Sequence, residues 1–205
     1  MKLFYSNQCG RSMIEMLGVL AIVGMLSIGG IVGYSKAMSK YKLNQTLEQY
    51  NFIFNLIESD MDKWKRIKTD NSFFVLTSLW KQMGIIPEEM IKRKTDNRLY
   101  DKFGNSFYVR KYNPHISITL FMNNDPNARN VCIALYNNLL LPRHNELKFV
   151  YVVLNNKTQL HHFYGDKICA YEQRCLRDMT MTDIVEACQT CSDSTDCALV
   201  ITWIA

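Results

Sequence analysis

The stretch from Gly10 to Gly33, GRSMIEMLGVLAIVGMLSIGGIVG, decides how this chain of 205 residues is organised. Glu15 is the last charged residue before an uncharged apolar run that covers Met16–Gly33. At a rise of 1.5 Å per residue, such a run forms a helix of about 27 Å, which matches the hydrocarbon thickness of a bilayer. A carboxylate at the edge of a membrane segment is costly in lipid, so Glu15 is a candidate functional residue.

Three interpretations of this stretch differ in what they explain. A cleaved secretory signal has a shorter apolar region, of about 7–15 residues, and a small-residue cleavage site after it. A plain membrane anchor accounts for the length of the run but not for Glu15. The third interpretation is a prepilin, because the stretch resembles the signature of type IV prepilins. The matching features are a short polar leader with Lys2, Gly10 before the cut, and Glu15 as the fifth mature residue.

The resemblance implies a processing and assembly chemistry. A prepilin peptidase would remove residues 1–10 by cutting after Gly10, and the new amine of Arg11 would be methylated, although the family usually has Phe or Met at this position. Glu15 would then pair with the N-terminal ammonium of a neighbouring subunit. The implied partners are other pilin subunits, the peptidase, an inner-membrane assembly platform and, before assembly, membrane lipid. The implied location is the bacterial inner membrane with a periplasmic head, and afterwards an extracellular pilus.

The helical pattern continues beyond the apolar run. Apolar residues recur at spacings of three and four from Tyr34 to Trp64, and neither Gly nor Pro interrupts 34–68, which predicts an amphipathic helix. The two parts together predict one long helix over 11–68, with a membrane and assembly half (11–34) and an amphipathic half (35–68). Glycines in the first half favour close helix packing and local bending on assembly; they are Gly24, Gly29, Gly30 and Gly33.

The remaining residues, 69–205, predict one α+β head domain. The elements indicated by turn residues and apolar alternation are helices over 76–83 and 128–140 and strands over 106–111, 115–122, 149–154 and 197–204. A helix followed by strands favours an antiparallel sheet packed on the long helix. The resemblance implies a type IV pilin fold, more specifically that of the larger, class IVb-like pilins.

An even number of cysteines follows the membrane segment: Cys132, Cys169, Cys175, Cys188, Cys191 and Cys197. In an exported domain such a set predicts disulfides, with fifteen possible connectivities. Zinc bound near His161 and His162 is the alternative, but a single CxxC is present where structural zinc usually has two. The pilin resemblance implies that Cys132 bridges to a C-terminal cysteine and that the C-terminal region is stapled by disulfides.

Neither a catalytic constellation nor a cofactor motif is visible in the sequence, so we expect a structural subunit that needs no cofactor or metal. A basic cluster formed by Lys92, Arg93, Lys94 and Arg98 could contact DNA phosphates, but a solvated loop is the favoured interpretation. Two alternatives to a pilin remain open. One is a pseudopilin of a type II secretion system, and the other is a membrane-anchored periplasmic binding module or enzyme.

Overall fold

The computed structural model describes residues 13–68, 73–93, 95–112, 114–122, 127–154, 158–192 and 197–204. The chain divides into two compact units after Tyr41. The first unit contains the apolar part of a long helix, and the second is an α+β head with an antiparallel sheet and disulfides. This is the predicted fold class. Residues 1–12, which include the predicted leader with Gly10 and the predicted first mature residue Arg11, lie outside the described residues.

The first helix, α1, spans Met13–Ser59, and a short helix, α2, follows at Met61–Lys65. The prediction of one helix reaching residue 68 is therefore wrong at its C-terminal end. Asp60 leaves the helical conformation (φ −116°, ψ 22°), and its carbonyl accepts hydrogen bonds from the N–H groups of Lys63 and Trp64. After this turn Trp64 is buried in the core. Its indole N–H donates to the carbonyl of Leu56 at 3.0 Å.

The head contains a seven-stranded sheet in which all paired neighbours are antiparallel. The strands are β1 (Phe74–Val75), β2 (Leu99–Tyr100), β3 (Ser106–Tyr112), β4 (His115–Met122), β5 (Leu147–Leu154), β6 (Thr158–Tyr164) and β7 (Cys197–Trp203). Their spatial order is β1-β3-β4-β7-β5-β6, with β2 also paired to β3. The last of these strands in sequence therefore lies at the centre of the sheet.

Three further helices complete the head: α3 (Leu76–Gln82), α4 (Ala128–Leu135) and α5 (Met181–Ser192). The predicted helix over 128–140 is divided, because a π-helical turn at Tyr136–Leu140 follows α4. Gly84 ends the α3 region with a φ of +68°, a backbone conformation that L side chains rarely adopt. The sequence pattern did not predict α5 or β6.

The core lies between one face of the sheet and the second half of α1. Tyr50, Ile53, Phe54 and Ile57 of α1 are all buried, as their spacing of three and four requires. The ring of Phe54 meets that of Trp203 edge-on, with 4.9 Å between centroids. Burial of each such side chain contributes about 1.5–3 kcal/mol, so this face of α1 is the main support of the sheet.

The opposite face of the sheet does not pack on α1, because successive strand residues point to opposite sides. We call it the outer face. Its centre carries small residues on β4 and β7, among them Ser117, Thr119, Val200 and Thr202. Large side chains flank this centre on both sides: Tyr108, Arg110, Phe121, Phe149, Tyr151, His162 and Tyr164.

Candidate functional site

The candidate assembly site is the apolar half of α1. Its side chains are exposed in the single chain, including Met13 (83%), Ile14 (78%) and Leu17 (62%). By length and composition, α1 is the one helix in the described part of the chain that can cross a membrane. Soluble monomers rarely expose a continuous apolar surface of this size. The segment therefore requires a covering of lipid or protein.

Glu15 lies in the first turn of α1. It is the only charged residue between Met13 and Ser35. A carboxylate in the first helical turn interacts favourably with the positive end of the helix macrodipole. The neighbouring residues that define the predicted cut, Gly10 and Arg11, lie outside the described residues. The arrangement places one negative group at the start of a surface that is otherwise apolar.

The four predicted packing glycines lie within an unbroken helical segment of the single chain. A Cβ added at Gly24, Gly29, Gly30 or Gly33 would meet nothing within 4 Å. Nothing in the described part of this chain therefore requires glycine there. Small residues of this kind permit the backbones of two helices to approach closely, and the predicted local bending on assembly stays a prediction.

The six cysteines form three disulfides. Cys132 of α4 is bonded to Cys188 of α5, with 5.6 Å between their Cα atoms. This pairing agrees with the expectation from the family resemblance. The other two bonds close short loops, Cys169–Cys175 and Cys191–Cys197. All six of these cysteines are paired in this structure, so none of them is a free thiol.

The two adjacent histidines, His161 and His162, lie in β6. An irregularity in the pairing of β5 and β6 places two residues of β6 opposite Tyr151, and His161 has a φ of +47°. His161 approaches Thr190 of α5 (Nε2 to Oγ1, 2.9 Å), whereas His162 stacks on the ring of Tyr151. Burial lowers the pKa of both imidazoles, helped at His161 by the positive charge of Arg174.

The described residues of the predicted basic cluster surround Tyr100. Lys92 places its ammonium over the ring of Tyr100, 4.6 Å from the centroid. The charges of Arg98 and Arg93 oppose the rise in the pKa of Tyr100 that its hydrogen bond to Asp96 causes. Arg98 also reaches the outer face, where its guanidinium lies over Phe121 at 4.4 Å. Lys94 lies outside the described residues.

A cavity of about 820 Å³ lies between α3 and the segment that follows it. Lys81 lines this cavity. Its ammonium forms an ion pair with Asp96 at 3.0 Å and donates to the carbonyls of Asp96 and Arg98. These bonds tie the loop before β2 to α3. Since they use the donors of Lys81 within the chain, its first role is to hold this loop in place.

A buried carboxylate at the turn before β3 was missed by the sequence analysis. Asp101 accepts hydrogen bonds from the hydroxyl of Tyr50 (3.0 Å) and the side-chain amide of Asn105 (2.8 Å). Burial raises the pKa of Asp101, and these hydrogen bonds oppose that rise. The pair joins α1 to the β2–β3 turn, so its role is to fix the sheet on the helix.

No protein-family model, curated protein or solved structure matches this chain.

Proposed function

We propose that this chain is a type IV pilin-like subunit, which is held in the bacterial inner membrane by α1 and is polymerised through that helix into a surface filament. The observation that carries the proposal is the exposed apolar half of α1, with Glu15 in its first turn, continuous with a disulfide-stapled α+β head. A simple anchor accounts for the apolar surface alone. A filament subunit accounts for the carboxylate as well.

The apolar half of α1 serves two environments in succession. Before assembly, lipid covers side chains such as Leu17, Leu20 and Leu26, which are 62–71% exposed in the single chain. After assembly, the same side chains pack against the helices of neighbouring subunits. Both environments are apolar, so the transfer does not require the helix to expose this surface to water.

Glu15 gives the assembly its register. A carboxylate in an apolar medium is stabilised strongly by a nearby ammonium, because the low dielectric constant strengthens their attraction. Cleavage after Gly10 creates such an ammonium on Arg11, and Glu15 is then the fifth residue of the mature chain. Pairing between Glu15 of one subunit and the amine of the next favours one axial position over all others.

The disulfides support an exported head. Such bonds form and persist in oxidising compartments and are rare in the cytosol. The head is therefore placed on the periplasmic side of the inner membrane before assembly and outside the cell afterwards.

The test is to express the chain in a cell that carries a matching assembly apparatus. Mass spectrometry of the membrane-extracted protein should find a product that begins at Arg11, and sheared filaments should contain it. Glu15→Gln should abolish filaments while the processed protein remains in the membrane. Asp62→Asn removes an exposed carboxylate beyond the apolar half and should leave filaments intact. Normal filaments from the Glu15→Gln variant would refute the proposal.

A further inference from the structure

The outer face of the sheet carries positive charge that carboxylates do not neutralise. Strands β3, β4, β5, β6 and β7 contain no Asp or Glu. Among the described residues, Arg98, Arg110 and Lys148 form no ion pair, whereas seven other lysines and arginines of the head do. These seven are Lys63, Lys65, Lys81, Lys102, Arg143, Arg174 and Arg177.

Aromatic rings hold these cations in place of carboxylates. The guanidinium of Arg110 lies 5.7 Å from the ring centroids of both Tyr108 and Phe73. Lys148 lies 5.5 Å from the centroid of Phe149, and its ammonium also contacts Nε2 of His115 at 2.6 Å. A cation over a ring is positioned without loss of its net charge. The face therefore presents ordered cations that remain available to an anion.

On the other side of the small central residues, rings stack on one another. Tyr151 stacks on His162 with 5.2 Å between centroids and 16° between planes. His162 stacks on Tyr164 at 4.5 Å and 23°. Burial raises the pKa of Tyr151, and the positive charge of Arg110 opposes that rise. Val200 and Thr202, which lie between the two flanks, are buried.

The chemistry of this face selects among possible occupants. A second copy packed face to face would bring the same unneutralised cations together, which is unfavourable. A polyanion with flat rings is complementary to both the cations and the stacked rings of this face. Its charges would pair with Arg98, Arg110 and Lys148, and its rings would extend the stack. Single-stranded nucleic acid has this combination, whereas a duplex keeps its bases stacked inside.

We propose that the outer face binds single-stranded nucleic acid, with Arg98, Arg110 and Lys148 on the phosphates and Tyr108 and Tyr151 stacking on bases. The site lies wholly within the head and is independent of the filament function proposed above. A failure of filament assembly would therefore leave it unaffected.

The experiment measures binding of fluorescein-labelled dT20 to the full-length chain in non-ionic detergent by fluorescence anisotropy. Three phosphate contacts on a single strand predict that log K falls with log salt with a slope of about −2. Tyr151→Ala should weaken binding by a factor between about 5 and 150, the equivalent of one base stack. Tyr151→Phe keeps the ring and should retain binding, and Arg110→Gln should reduce the salt slope.

The matched controls lie off this face. Tyr171 is 93% exposed in the loop closed by Cys169 and Cys175, so Tyr171→Ala removes an exposed ring elsewhere. The double variant Lys63→Gln/Lys65→Gln removes two exposed cations from α2. Both should bind dT20 as the parent does. Tryptophan emission reports whether each variant is folded, because Trp203 is buried on the core face of β7 and Trp64 and Trp80 are buried as well.

Several results would overturn the proposal. They are equal affinity for dT20 and a 20-base-pair duplex, equal affinity of Tyr151→Ala and Tyr151→Phe, or loss of binding in the Lys63/Lys65 variant alone. An absence of dT20 binding together with loss of filaments in Tyr151→Ala would also overturn the proposal, because the outer face would then be a contact between subunits. Tight binding of heparin without binding of dT20 would assign the face to an acidic polysaccharide.

Discussion

The three disulfides should contribute unequally to the stability of the head, and the difference follows from the loops that they close. Cys132 and Cys188 are 56 residues apart, whereas Cys169 and Cys175 are only 6 apart. A cross-link lowers the conformational entropy of the unfolded chain by an amount that grows with the logarithm of loop length. At 25 °C this contribution is about 4.2 kcal/mol for the long loop and about 2.4 kcal/mol for the short one.

The perturbation is replacement of each pair by alanine. Cys132→Ala/Cys188→Ala should lower the free energy of unfolding by about 2 kcal/mol more than Cys169→Ala/Cys175→Ala. Packing acts in the same direction, because Cys132 and Cys188 are completely buried between α4 and α5. The order of the two variants is therefore fixed by two separate effects.

The assay is urea unfolding of the full-length protein in non-ionic detergent, followed by tryptophan emission. All three tryptophans, Trp64, Trp80 and Trp203, are buried in the head, so emission reports its unfolding. Equal losses in the two variants, or a larger loss in the variant without the short loop, would refute the loop-length argument. The denaturant slopes of the variants must be compared as well, since a changed slope indicates a changed unfolded state.

Three further predictions concern single sites. Asp183 accepts hydrogen bonds from the N–H and hydroxyl of Thr180 at the start of α5, and these bonds hold its pKa at about 2, below the ordinary 3.8. Asp183→Ala should therefore lower the free energy of unfolding by about 1 kcal/mol at pH 7. When urea unfolding is measured at several pH values, this difference should shrink as the pH falls from 4 toward 2. An equal difference at pH 2 and pH 7 would contradict the prediction. Arg143→Met should lower the free energy of unfolding by about 1–3 kcal/mol, because Arg143 pairs with Glu58, which also accepts the indole N–H of Trp203; an unchanged urea midpoint would contradict this. Replacing Gly24, Gly29, Gly30 and Gly33 together by alanine should stiffen α1 and impair close helix packing. The yield of sheared filaments should then be lower than that of a control variant with Ser27→Ala alone. Equal filament yields would contradict the packing role of the glycines.

The sequence predicted elements well where one periodicity dominated. The strand at His115–Met122 has the predicted bounds, and β7 ends one residue before its predicted end. In both strands a run of apolar or alternating residues is bounded by turn residues. The amphipathic face of α1 was predicted for the same reason, and Tyr50, Ile53 and Phe54 are buried as expected.

The predictions failed where a tertiary contact overrides the local pattern. The residues around Asp60 have helical periodicity, yet the turn there is favoured by burial of Trp64 against Trp80, whose ring centroids are 5.6 Å apart. β6 contains His161 and His162, and its bulge breaks the alternation that a strand pattern requires. A signal for the outer face was present, since large side chains alternate at Tyr108, Arg110 and Tyr112 in β3 and at Phe149 and Tyr151 in β5. Only the sheet order shows that the two sets flank one surface.

The position of β7 has a consequence for how the head can be made. β3 and β4 form one hairpin and β5 and β6 form another, but they join only through β7, which is synthesised after both. In the export that we propose, the two hairpins cannot join until the final strand emerges and pairs with both of them. The cysteines that precede β7 would then meet oxidants before the sheet is complete, so a thiol isomerase or a chaperone that delays oxidation should raise the yield of correctly bonded protein.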